Sequence, residues 1–297
     1  MGSVRFAIGL PNVGPFADPA ALVDLAVSAD ESGWDAVFLW DHLLYRDGWD
    51  VTDPWVALGA IATRTHRVRL GLLVAALPRQ LPWEVAKRAV SLQQLSGGRF
   101  VLGAGLGSIP EEYSDFGGDP DPRVRGDRLD EALKVIRGLT RGEPFTYEGD
   151  HFRVRDVALR PAAQDGGLPI WIGGRWPNRR PMRGAARWDG LVATHAGHGK
   201  GETMPPDQLR EVVDYALEHR DPLAPPLDVA VEGWTDEAPD RDWAQVEPYV
   251  GSGLTWWIEA LGWWRGDLQA ASRRIEAGPP KSPSDLGEPG SGEVRAH

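Results

Sequence analysis

Two histidines and two glycine clusters carry most of the chemistry open to this 297-residue sequence. His42 follows Asp41 at the end of the apolar run Ala36-Val37-Phe38-Leu39-Trp40. An imidazole beside a carboxylate is a competent acid or base near neutral pH. The pair also fits a loop histidine making one structural hydrogen bond, and His195, after Thr194, carries the same two interpretations. Gly103-Ala104-Gly105-Leu106-Gly107 is spaced G-x-G-x-G. It lacks the spacing of a dinucleotide fingerprint, the acidic residue about 20 positions on, and the Gly-Lys-Ser/Thr of a P-loop. What remains is bare backbone, which admits something flat or phosphorylated, or simply allows tight turns. Gly173-Gly174-Arg175 precedes Pro177 and a short helix, so turn amides, a helix N-terminus and a guanidinium together predict an anion cradle. Arg128, early in another helix, either adds charge to that cradle from the side or sits solvated.

Composition narrows the chemistry. Thirty-two basic against forty-three acidic side chains leave a net charge of −11, which repels a phosphate backbone or an anionic bilayer. Nucleic acid and membrane are therefore excluded as partners. The sequence has no cysteine, so thiolate nucleophiles, disulfides and thiolate metal sites are absent. No His-x-x-x-His or paired-carboxylate spacing suggests a metal, and Glu232 and Glu259 lie far apart in sequence. No apolar run approaches the roughly 18 residues of a transmembrane span, and the start lacks a secretory pattern, so a cytoplasmic protein is expected. Tryptophan is the outlier at fourteen copies. Trp40, Trp171, Trp256 and Trp257 fall in strands, where indole mostly fills a core, while a few at a barrel mouth would wall a planar ring.

The elements that must position these residues alternate between short apolar runs and helix-period stretches. Val4–Leu10 is a strand; Asp18 caps a helix opened by Pro19 and stopped by Gly33. The cycle continues through Ala36–Trp40, a helix 55–63, strand 69–74, helix 82–95, strand 100–104 and a helix bearing Leu129, Leu133 and Ile136. Residues 144–160 then alternate around Glu148-Gly149-Asp150 as a hairpin, part of an insertion spanning about 142–168. Strands 169–172, 191–194, 228–231 and 255–258 follow, with helices 181–187, 206–218, one near Trp243, and 267–276. Eight strands and eight helices in this length predict a (β/α)8 TIM barrel over one domain, residues 1–277. The stretch 278–297 is too poor in apolar residues to order itself and is expected to be a disordered tail. In such a barrel the active face lies at the carboxyl ends of the strands, which here carry Pro11-Asn12, Trp40-Asp41-His42, Ala75-Ala76, Gly105 to Gly107, Gly173 to Arg175, Thr194-His195, Glu232-Gly233 and Glu259.

The set of segments Val4 to Asn12, Trp40-Asp41-His42, Leu92 to Phe100 running into Gly103-Ala104-Gly105, Arg128 to Leu133, Gly142-Glu143-Pro144, Tyr147-Glu148-Gly149, Pro169 to Gly174 and Ala185 to Gly190 resembles the bacterial-luciferase-like flavin-dependent oxidoreductases over about residues 4–276. The resemblance implies a barrel with a hairpin-bearing insertion that binds reduced FMN or the deazaflavin F420, as a homodimer, acting on a small organic substrate. It implies a monooxygenase using FMNH2 and O2, supplied by a separate flavin reductase; alternatives are F420-dependent hydride transfer and a flavin-binding protein without turnover. By the resemblance, His42 and Asp41 are catalytic, and Trp40, Arg175 and Thr194 join the cofactor site. Ala75-Ala76 falls where the family places a bulge with a non-prolyl cis peptide behind the ring. Gly105, Gly107, Gly173 and Gly174 match backbone around the cofactor chain and phosphate, and Arg128 matches a phosphate-reaching arginine. Ser108 stands where the family's sugar-phosphate dehydrogenases carry glutamate, and Leu106 where luciferases carry arginine. A third possibility, a phosphate-sugar barrel enzyme, would use Glu232 or Glu259. Substrate choice is expected to reside in loops 43–54, 108–124 and 195–206.

Overall fold

The computed structural model describes residues 4–164, 167–197, 199 and 202–282. Eight parallel strands close into a barrel: β1 (Arg5–Leu10), β2 (Ala36–Leu39), β3 (Arg69–Ala76), β4 (Phe100–Gly105), β7 (Ile170–Trp176), β8 (Gly190–His195), β9 (Asp228–Gly233) and β10 (Trp256–Ala260). The antiparallel pair β5 (Phe145–Glu148) and β6 (Arg153–Val157) stands outside the ring. β4 pairs directly with β7, Leu102 opposite Ile170, so the hairpin is an insertion, as its alternation predicts. Among the described residues, none of the helices is long and apolar enough to cross a membrane. The expected tail lies outside the described residues from 283 onward.

Aspartates start several of the helices. Asp18 accepts from Ala20 N at the head of α1 (Pro19–Glu31), Asp53 from Trp55 N and Val56 N at α2 (Pro54–Arg64), and Asp121 from Arg123 N at α5 (Pro122–Leu139). Each is followed by a proline that needs no amide partner in the first turn. α3 (Pro82–Leu95), α6 (Arg179–Ala185), α7 (Pro206–Glu218), α8 (Pro239–Val250) and α9 (Leu268–Glu276) complete the outer layer. A four-residue helix, α4 (Glu111–Ser114), lies in the loop after β4 and is the element that helical periodicity missed. The hairpin is tied back to α5 by Glu131, whose carboxylate accepts from the amides of Asp150, His151 and Phe152 at 2.9, 3.0 and 3.0 Å.

Indole closes the barrel interior. Trp171 and Trp256 are buried with ring centroids 5.4 Å apart, and Phe38 packs 5.4 Å from Trp171. With Ala7, Val101, Val192 and Ile258 they form a separate apolar cluster inside the strands, so the barrel is a filled core that opens only at its rim. Strand tryptophans thus fill the core as expected, except Trp40, which stands at the rim.

Three expectations about strand ends need correction. β7 runs on through Trp176, and Gly173, Gly174 and Arg175 pair with Val192, Ala193 and Thr194. These residues are therefore strand, paired with β8, and not a turn feeding a helix. β3 runs on through Ala76, with Ala75 opposite Ala104 and Ala76 opposite Gly105. The register shift falls between Leu72 and Ala75, and the non-prolyl cis peptide is Leu73–Val74, two residues earlier than Ala75-Ala76. Glu259 is wholly buried and held by Thr235, Trp257, Arg265 and Arg274, which removes it from the barrel mouth.

Candidate active site

A cleft of about 910 Å3 opens at the carboxyl ends of the strands, within the size range of cofactor and ligand sites. Trp40, Asp41, His42, Gly105, Gly107, Gly173, Gly174, Arg175 and Thr194 line it, as does His195. Ala75, Ala76 and Arg128 do not. Ala75 and Ala76 are buried in the β3 ladder behind the rim. The Arg128 side chain is turned away, its Nε donating to Pro78 O at 3.0 Å and its guanidinium lying 5.0 Å over the Phe152 ring.

The floor follows from the β3 bulge. The irregular register carries Leu73 and Val74 to the cleft, and the glycines of the neighbouring strands make room for Val74. A Cβ on Gly105 would lie 2.6 Å from one Val74 methyl, and a Cβ on Gly173 2.7 Å from the other. The glycines at these two positions therefore allow Val74 to stand between β4 and β7 as a small apolar platform.

The β4–β7 side of the cleft is cationic. Arg123, Arg125, Arg175 and Arg180 line it; Arg180 is neutralised by Asp127 and Asp130 at 2.6 and 2.9 Å. Arg125 is 6% exposed, and its Nη1 reaches the carbonyls of Leu106 and Gly107 only at 3.4 Å. Among the described residues its Nε has no hydrogen-bond partner. A buried guanidinium with spare donors beside glycine backbone suits an anionic oxygen. Burial pushes the neighbouring Tyr113 hydroxyl above the usual phenol range, although the charges of Arg79 and Arg125 oppose the shift. Tyr113 donates to Leu106 O and fixes the β4 turn.

Opposite, a charged network anchors His42. Asn12, wholly buried, grips its backbone: Nδ2 donates to His42 O at 3.1 Å and Oδ1 accepts from His42 N at 3.2 Å. Glu112, from α4, accepts on one oxygen from His42 Nδ1 at 3.1 Å, Leu43 N at 2.6 Å and Leu44 N at 3.2 Å. Its other oxygen lies 3.6 Å from Arg79 Nη1. Burial opposes the Glu112 charge, but the His42 hydrogen bond and charge, Arg79 and the Leu43 amide outweigh it and hold the carboxyl below its ordinary range. An ionised carboxylate only accepts, so neutral His42 carries its proton on Nδ1 and leaves the Nε2 lone pair for the cleft. His195 has the opposite arrangement. Its Nδ1 accepts from Gly197 N at 3.0 Å, which places the proton of the neutral ring on Nε2.

Asp41 differs from its expectation as a proton-transfer group. Its carboxylate accepts from Arg79 Nη2 at 2.7 Å, Gln80 Nε2 at 2.9 Å and Ala76 N at 3.1 Å. Three donors occupy it, so Asp41 joins β2 to the turn after β3 and holds Arg79 toward Glu112. Sequence inspection missed Glu112, Arg79, Arg125 and Val74. For Arg125 a signal existed: it lies four residues before Leu129 and eight before Leu133, on the buried stripe of α5.

The β2–β10 side is aromatic. Trp40 and Trp264 stack with centroids 5.7 Å apart at 14°, and Trp263 crosses both nearly at right angles. His42 meets Trp40 edge-on at 5.7 Å and Tyr45 at 5.1 Å.

These elements define a closed (β/α)8-barrel class of protein with an inserted hairpin, a bulged third strand and a glycine-lined mouth. The sequence profile of the luciferase-like monooxygenase family matches residues 4–274, and the chain belongs to that family. It is 34% identical over 238 residues to 4-hydroxyprotoasukamycin monooxygenase of Streptomyces nodosus subsp. asukaensis, covering 71% of this chain and 62% of the relative. It is also 34% identical over 229 residues to an F420-dependent glucose-6-phosphate dehydrogenase of Nakamurella multipartita, covering 73% and 65%. The matches thus span somewhat under two thirds of each of these relatives. Among solved structures, an F420-dependent secondary alcohol dehydrogenase in complex with an F420-acetone adduct aligns with a TM-score of 0.74 at 18% identity, covering 93% of this chain and 98% of that one. The monooxygenase RslO1 of Streptomyces bottropensis aligns at 0.72 and 20%, covering 92% and 97%. At these identities the likeness is one of fold.

Proposed function

We propose that the protein is an oxidoreductase that holds a reduced flavin in the rim cleft and acts on a small organic substrate, with FMNH2 and O2 in a monooxygenase-type reaction. The observation that carries this reading is the pairing of a flat apolar platform, Val74 between Gly105 and Gly173, with the buried, donor-rich Arg125 on the same side of one cleft. That combination fits a tricyclic ring with an anionic tail. When bound, the flavin supplies the electrons that neither oxygen nor nitrogen side chains provide.

The chain's own residues then have distinct tasks. Val74 and the glycines receive the ring, Arg125 the phosphate, and the barrel wall excludes bulk water. Glu112 and Asn12 fix His42 so that Nε2 accepts a proton from a bound substrate, while His195 Nε2 donates a hydrogen bond. Asp41 positions and does not transfer protons. A separate reductase supplies the reduced flavin, and the reading includes a cytoplasmic homodimer.

A second reading is hydride transfer with F420. The fixed Nε2 lone pair of His42 favours it, because oxidation of an alcohol needs a base at its hydroxyl. Anaerobic titration with reduced FMN and, separately, reduced F420, followed by tryptophan emission, tests both. Saturable quenching by one carrier supports that reading; no response to either overturns the assignment.

A further inference from the structure

The cleft extends beyond the platform and Arg125 to a β2–β9–β10 side, which has its own chemistry. Trp40, Trp234 and Trp264 line it, together with Ala260, Gly233 and the acidic Glu232. Among the described residues on this side, no lysine or arginine lines the cleft. Arg265, the nearest guanidinium in sequence, is committed to Glu259 and to Thr235 O and sits 5.4 Å over the Trp234 ring, outside the lining. Among the described residues, the arginines that line the cleft are on the opposite side, at Arg123, Arg125, Arg175 and Arg180.

We infer that the β2–β9–β10 wall is the substrate subsite and that it selects neutral, planar aromatic compounds over phosphorylated or sugar-like ones. The inference rests on the proposal that the β4–β7 side takes the reduced carrier, since that occupancy leaves only the indole wall for a second guest. Indole faces attract flat π-systems beyond what apolar area alone gives, by up to about tenfold in affinity. A phosphomonoester set against these indole faces would lose hydration without the guanidinium donors of the β4–β7 side. A rigid stacked pair such as Trp40 and Trp264 costs little ordering when a ring docks.

Isothermal calorimetry on the protein saturated with whichever carrier binds tests this, using 2-naphthol, its saturated analogue decahydro-2-naphthol, and glucose 6-phosphate. The expected result is 2-naphthol binding about three- to tenfold tighter than the saturated analogue, with no measurable glucose 6-phosphate binding. Trp264→Leu and, separately, the half-exposed Trp234→Leu should each erase most of that discrimination while leaving carrier affinity within about twofold. The second substitution, at a residue 46% exposed, keeps the test open if the first impairs folding. Equal binding of the two naphthols, unaltered discrimination in both variants, or preferred binding of glucose 6-phosphate overturns the inference. Failure of both carriers to bind would instead defeat the parent proposal, and the same variants in carrier-free protein would still decide whether the wall selects aromatic rings.

Discussion

Replacing Glu112 by glutamine removes one buried charge and almost no volume, so it isolates the electrostatic role of that residue. Glu112 is 1% exposed; it accepts from His42 Nδ1, Leu43 N and Leu44 N and faces Arg79 at 3.6 Å. A glutamine oxygen can keep the two amides, but its NH2 then confronts the Arg79 or His42 donors. Breaking a buried charge pair from one side costs about 3–5 kcal/mol, and the retained amide bonds favour the lower end. With an unfolding entropy of about 2.1 cal/mol/K per residue, about 3 kcal/mol over this chain corresponds to a melting temperature lower by about 5 °C. The pH dependence has a fixed sign. The folded carboxyl lies below its unfolded value, so its contribution is complete above the ordinary glutamate pKa of about 4.3 and fades as pH falls through the lower, folded value. Urea denaturation of wild type and variant should show the full difference at pH 7 and a narrowing gap below about pH 5. A gap that stays constant down to pH 3, or one under about 0.5 kcal/mol at pH 7, would refute the assignment of Glu112 as an ionised anchor.

Other substitutions separate the two sides of the cleft. Arg125→Ala should weaken reduced FMN by about tenfold or more but leave phosphate-free reduced riboflavin little changed, while Arg128→Ala alters neither; equal effects at the two arginines would place the anion elsewhere. Gly173→Ala should force Val74 toward the cleft, costing about 1–3 kcal/mol in denaturation experiments and lowering carrier affinity in titrations; wild-type affinity would contradict the platform. His42→Ala should reduce turnover by about 100-fold or more with carrier binding intact, and adding Glu112→Gln to it should cost little further; full additivity would mean that the two residues act independently. Glu131→Ala should speed amide exchange at Asp150, His151 and Phe152 without touching the cleft, as read by hydrogen exchange.

Most of the barrel is visible in the sequence because each strand–helix unit carries its own punctuation. Asp18-Pro19, Asp53-Pro54 and Asp121-Pro122 mark helix starts through local hydrogen bonds, and the hairpin announces itself by a period of two. His42 was accessible for the same reason, as a polar residue closing an apolar strand. Its partner was not, because Glu112 is 70 residues away in a loop with no apolar period, and only the closed ring brings them together. The β3 bulge is likewise a tertiary fact: Leu73 and Val74 look like ordinary strand residues until Gly105 and Gly173 make space for Val74. Asp41 shows the opposite failure. Its place next to a histidine suggests shared chemistry, yet its carboxylate is spent on Arg79, Gln80 and Ala76.

A crystal structure of the protein with reduced FMN or F420 bound tests the central claim most directly. The account predicts the tricyclic ring against Val74, the phosphate within hydrogen-bond distance of the Arg125 guanidinium, and His42 Nε2 facing the space between ring and indole wall. A carrier bound outside the rim cleft, or one in the cleft whose phosphate leaves Arg125 without a partner, would contradict it.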